Sequence, residues 1–166
     1  DDTPDWPVAD HVLRSVPHLR WTGSDLVVWL RPTAPFRRPE EIDEVVDFLR
    51  EHPEVSSVRS VVPSPVHPRK CYVDAGWKYT GYTGLLPYTV HHAANSPSQT
   101  LERVFAPVGV IDAVRATVIL DGSMEGAVIA AWVAPVERAL DLDTEDDFSR
   151  ADALARARGW APGEIA

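Results

Sequence analysis

The chain has 166 residues, a formal net charge of −9 and 45% apolar composition, enough for one domain with a real core. That acidity excludes nonspecific binding to nucleic acid or an anionic membrane, because a phosphate-tracking surface needs a basic face. Cys71 is the only cysteine, which rules out an intrachain disulfide or a cysteine-rich zinc site.

"VADHVLRSVPHL" (8 to 19) has helical spacing at Val8, Val12 and Leu13 and is broken by Pro17. "DLVVWL" (25 to 30) reads as a strand buried on both faces. "RPTAPFRRP" holds three prolines and must be an ordered loop. "PEEIDEVVDFLREH" (39 to 52) is the clearest helix, with proline and acids at its start and Ile42, Val45, Val46 and Leu49 on one face. "VSSVRSVVP" (55 to 63) is a second strand. Strand, loop, helix and strand in this order predict a βαβ unit and a parallel sheet.

Residues 64 to 106 are rich in Pro, Gly, Tyr and His and show little periodicity, as a functional excursion or a segment packed on another subunit would. "VGVIDAV" (108 to 114) and "AVIAAWVAP" (127 to 135) then read as strands. The last helix starts at the N-cap Thr144, carries Glu145, Asp146 and Asp147 in its first turn, and ends at Gly159. The absence of a leader or of an apolar run near the roughly 18 residues that span a bilayer, together with one free thiol, predicts a soluble cytoplasmic protein.

"ERALDLDTEDDF" (137 to 148) crowds six carboxylates into twelve positions. Glu145, Asp146 and Asp147 complement a helix dipole, and Asp147 is placed for a capping box. Asp141 and Asp143 remain. At i and i+2 of an extended segment their side chains share a side. A solvated acidic turn is the commoner use of such a pair; the other is a Mg²⁺ site, since that ion takes oxygen ligands and keeps waters for substrate phosphates. A calcium EF-hand loop does not fit, because Asp146 stands where glycine is needed and Asp152 where a bidentate Glu is expected.

"VVWLRPTAPFRRPEEIDEVV", "HPRKCY", "NSPSQTLERVFAPVGVIDAVRATVILDGSMEG" and "RALDLDTEDDFSRADAL" together resemble the CMP-sugar-acid synthetases, the cytidylyltransferases that activate N-acylneuraminate and related acids. The resemblance spans nearly the whole chain. It implies a Rossmann-like three-layer nucleotidyltransferase fold with a mainly parallel sheet, of which residues 1 to 166 form the C-terminal part. It also implies an excursion at about 71 to 105 that forms a homodimer and lends residues to the neighbouring site. Arg31, Pro32, Thr33 and Ala34 would line the cleft, with Arg31 among the catalytic groups. Arg37 would anchor the loop or meet an anion, Lys70 would stand near the substrate, Ser98 and Gln99 would contact the sugar acid, and Asp141 and Asp143 would hold Mg²⁺. The implied substrates are CTP and a 2-keto sugar acid, with pyrophosphate released.

Two departures from that family stand out. Its glycine-rich basic loop, which cradles the CTP phosphates, has no counterpart in the chain. The expectation is therefore a fragment, a split enzyme completed by a second polypeptide, or a non-catalytic paralogue that binds a sugar acid or a partner protein. Ser98 also replaces the arginine that usually precedes Gln99, and serine cannot make a bidentate pair with a carboxylate.

Overall fold

The computed structural model describes residues 3–16 and 20–159. The chain runs through α1 (Asp5–Ser15), β1 (Leu26–Trp29), α2 (Pro39–Glu51) and β2 (Ser57–Pro63). It continues through β3 (Tyr72–Tyr79), β4 (Tyr82–Pro87), β5 (Phe105–Pro107) and β6 (Asp112–Arg115). The last elements are α3 (Ala116–Leu120), β7 (Ile129–Val133) and α4 (Glu145–Ala157). Two compact units result, residues 1–62 with 107–166 and residues 63–106.

The sheet overturns the expected mainly parallel arrangement. Its strand order is β1-β6-β2-β5, with β7 also paired to β2. β6 lies antiparallel to both β1 and β2, and β7 pairs in parallel with β2. Since β1 and β2 both oppose β6, they run the same way, so the strand–helix–strand connection does form a crossover. The two strands are not neighbours, however. β6, far later in the chain, sits between them. Periodicity can show that β1–α2–β2 returns in the same direction, but it carries no information about a strand inserted from elsewhere.

Side-chain alternation places a core on each face of this mixed sheet. Val28, Val58 and Ala113 join Val45 and Leu49 of α2 in one cluster. Val27, Trp29 and Val114 join Ala9 and Leu13 of α1 and Ala116 and Ile119 of α3 in the other. The expected α2 face is observed at Val45 and Leu49, which are fully buried. The α1 expectation shifts: Ala9 and Leu13 face inward, while Val8 and Val12 are 43% and 53% exposed. Pro17, expected to break that helix, lies outside the described residues.

Strands come out shorter and less buried than their apolar runs suggest. β1 is half-buried throughout and stands at the end of the strand order, beside β6. β6 begins at Asp112 rather than near residue 108, because Gly109 takes a positive φ of 62° and interrupts the extended run. β7 alternates, with Ile129 and Val133 about half exposed.

α4 starts as its sequence requires. Thr144 Oγ1 accepts from the Asp147 backbone N–H at 3.2 Å, and Asp147 Oδ2 accepts from the Thr144 N–H at 3.0 Å. The Thr144 hydroxyl, ahead of the backbone N–H groups of Thr144 and Asp143, holds the Asp147 carboxyl below the usual carboxylate range. Its contribution to stability is therefore present above the unfolded value near ~3.9 and disappears as pH falls through the lower folded value. Urea midpoints followed downward from ~pH 5 should drop less steeply in Asp147→Asn than in the wild type. Parallel curves for the two proteins would refute the linkage.

Residues 63–106 are not an irregular stretch. β3 and β4 form an antiparallel hairpin, closed at Tyr79↔Tyr82 around Thr80 and Gly81, the latter at φ 78°. The register shifts between Asp74 and Lys78, which breaks the alternation a strand would otherwise show in sequence. Below the hairpin, Tyr88 N–H donates to the Cys71 carbonyl at 3.0 Å and Ala93 N–H to the Arg69 carbonyl at 2.8 Å. Gly84 is the one buried residue among those whose burial is described in this unit.

Among the described residues, no helix is long and apolar enough to cross a membrane.

Candidate functional site

A turn and two buried arginine contacts build the proline loop. Ala34 N–H donates to the Arg31 carbonyl at 3.2 Å, closing a turn over Pro32 and Thr33. Arg37 then reaches back, and its Nη2 donates to the carbonyls of Arg31 and of Ala34, the latter at 2.7 Å. Burial lowers the Arg37 guanidinium from its ordinary value, which is the electrostatic cost of holding a cation inside the loop. Of the two roles expected for Arg37, anchoring is the one its contacts serve. Ala34 is 1% exposed and belongs to the α2-side core, so it reaches a cleft only through its backbone.

Arg31 is also engaged. Its Nη2 pairs with Asp5 at the start of α1, and its stem lies across Gly109, where an added Cβ would come within 2.5 Å of the Arg31 Cδ. Thr33 makes the contact that matters most. Its carbonyl accepts from Leu142 N–H at 2.9 Å. Leu142 is the residue between Asp141 and Asp143, so the acidic pair is fastened by its own backbone to the loop that begins at Arg31. Neighbouring contacts reinforce that junction. Arg138 pairs with Glu41, both nearly buried, and Glu41 Oε2 accepts from the Arg38 N–H at 3.0 Å. Glu41 thereby ties the first turn of α2 both to the end of the loop and to the segment that leads into Asp141.

Asp141 and Asp143 are exposed, and among the described residues neither carboxylate is in an ion pair. Two unengaged carboxylates suit Mg²⁺, which binds through one or two carboxylates and keeps several waters. They do not suit a cation that needs an all-protein cage: among the described residues no group of three or more His, Cys, Asp or Glu side chains could hold a metal. Just before them in the chain, Val136, Glu137, Ala139 and Leu140 line an open cavity of about 580 Å³ with Arg150, Ala153 and Leu154 of α4.

The remaining expected residues fall in the unit of residues 63–106. Lys70 Nζ donates to Ser98 Oγ at 3.0 Å, which brings two of the expected residues together. Ser98 and Gln99 line a cavity of about 290 Å³ with His67, Glu102 and Arg103.

Sequence reasoning missed Glu41 and Arg138, whose pairing joins segments far apart in the chain. It also missed a buried network in the sheet. Asp112 Oδ1 accepts from Ser60 N–H at 3.0 Å and Ser60 Oγ at 3.2 Å, and Arg59 stands 3.5 Å from Asp112 Oδ2. A lone acid in "VGVIDAV" and an arginine in "VSSVRSVVP" were the available signal, since charges inside strand-like runs need partners. No protein-family model matches this chain, and no match is found among curated proteins.

Proposed function

We propose that the chain is the metal- and sugar-acid-binding part of a cytidylyltransferase, which joins CMP from CTP to a 2-keto sugar acid and releases pyrophosphate. The reading rests on the motif resemblance. The observation that supports it is the Leu142–Thr33 bond, which brings the acidic pair against the proline loop. In this reaction the anomeric hydroxyl attacks the α-phosphorus of CTP, a displacement governed by positioning and charge neutralisation. Asp141 and Asp143 would hold Mg²⁺, which when bound supplies Lewis-acid neutralisation of phosphate charge. Arg37 braces the loop and the Thr33 carbonyl holds the backbone between those carboxylates, and Lys70 and Gln99 would meet the sugar acid. Pyrophosphate release and saturable sugar-acid binding, measured together, test the assignment. A chain that shows neither, alone or with a polypeptide supplying a glycine-rich nucleotide loop, is not this enzyme.

A homodimer through the β3–β4 hairpin and a cytoplasmic location belong to the same proposal. The hairpin unit exposes Tyr82, Leu85, Leu86, Tyr88 and Val90, and among its residues of described burial only Gly84 is buried, as in a segment completed by a partner. A monomeric mass in light scattering at micromolar concentration would count against it.

One observation favours the non-catalytic alternative. Arg31 pairs with Asp5 and Arg37 donates through Nη2 to two loop carbonyls while its buried Nε has no partner, so an anion would meet guanidiniums already held in part by this chain. The pyrophosphate assay separates the readings.

A further inference from the structure

The cavity beside Ser98 and Gln99 is lined by a ring N–H that no group of this chain accepts. His67, which lines it, has a side chain only 9% exposed. Its Nδ1 accepts from the Arg69 backbone N–H at 3.1 Å, which places the proton of the neutral ring on Nε2. Nε2 is buried and has no hydrogen-bond partner. Glu102 Oε2 stands 3.8 Å away, too far for a hydrogen bond. Glu102 itself is held by Arg69, whose Nη2 lies 3.0 Å from Oε1. A buried N–H without a protein acceptor carries a desolvation penalty, which a bound acceptor relieves.

We infer that His67 and Glu102 form a hydroxyl-binding subsite, in which one ligand O–H accepts from His67 Nε2–H and donates to Glu102 Oε2. An oxygen about 2.8 Å from each atom would span the 3.8 Å gap once neighbouring side chains yield enough to admit it to the buried Nε2. A carboxylate oxygen there would satisfy the histidine but face the Glu102 carboxylate with no proton to offer. A bare ether or carbonyl oxygen has the same defect. Among common ligand groups, a hydroxyl both accepts and donates along those two directions. The hydroxyl is assigned from the geometry. That it belongs to a sugar acid rests on the proposed function, and in that case this subsite takes the polyhydroxyl arm of the substrate and not its carboxylate.

The test follows the His67 ring nitrogens by NMR in the full chain, with His67→Phe, which keeps the ring's bulk, identifying the signal. The free protein should show the Nε2–H tautomer. N-acetylneuraminate and the neutral polyol sorbitol should both shift the His67 signals, while acetate should not. Affinity for the sugar acid should fall about tenfold in His67→Phe and in Glu102→Gln. Sorbitol binding without sugar-acid binding would leave the hydroxyl subsite standing and remove the cytidylyltransferase reading. No shift with either hydroxylated probe, or an equal shift with acetate, would overturn the subsite itself.

Discussion

Asp141→Asn should cut Mg²⁺-dependent pyrophosphate release from CTP by on the order of 100-fold or more and leave the thermal midpoint where it was. Stability is spared because the Asp141 side chain is exposed, and the bond that docks this segment belongs to the Leu142 backbone. Asparagine keeps the size of the side chain and one oxygen. It removes the charge on which a hard divalent cation depends. Asp143→Asn should behave alike. Asp146→Asn is the control, since that carboxylate serves the first turn of α4 and not the loop junction. Paramagnetic Mn²⁺ gives a second readout without turnover: it should broaden the Leu142 and Thr33 amide signals in the wild type and far less in Asp141→Asn. Full turnover in Asp141→Asn, or equal broadening in both proteins, would refute the metal role.

Arg115→Met should lower stability by about 3–4 kcal/mol, a large share of what a domain of this size commands. The guanidinium of Arg115, at the end of β6, donates through Nε to the Val55 carbonyl at 2.8 Å and through Nη1 to the Gly23 carbonyl at 2.9 Å. Its Nη2 donates to the carbonyls of Leu49 and His52, at 2.7 and 2.9 Å. Leu49 and His52 are at the C-terminal end of α2, where carbonyls lack helical partners and a cation meets the negative end of the dipole. One side chain therefore closes the end of α2 and joins it to the approaches to β1 and β2. Methionine fills the space of the stem but removes the side-chain donor from the Val55, Gly23 and Leu49 carbonyls, while His52 keeps the Val55 N–H at 3.0 Å. Arg115→Lys should recover only part of the loss, because a single ammonium cannot span carbonyls that the planar fork reaches together. Urea unfolding measures both variants, and a loss below about 1 kcal/mol for Arg115→Met would show that water replaces the guanidinium.

Much of the local structure was legible because short-range physics fixes it. The α2 boundaries follow from Pro39, the acids beside it and the spacing of Val45 and Leu49. The start of α4 follows from Thr144 and Asp147, and the ordered loop from its prolines. The hairpin was missed because its outward residues are apolar and its register shifts, so no alternation marks it. In α1 the helix was visible but its inward face was not, since alanine at position 9 carries a weaker signal than the valines beside it.

By itself the sequence determined where α2 and α4 begin, that the chain is acidic with one free thiol, and which two segments bear the chemistry to be tested. Those properties depend on residues within a few positions of one another. Tertiary structure alone decided that β6 enters between β1 and β2, that Arg31 and Arg37 are engaged inside the protein, and that Leu142 docks on Thr33. Each joins residues far apart in the chain. Such pairings are selected by the packing and hydrogen-bond satisfaction of the whole sheet, which no local pattern encodes.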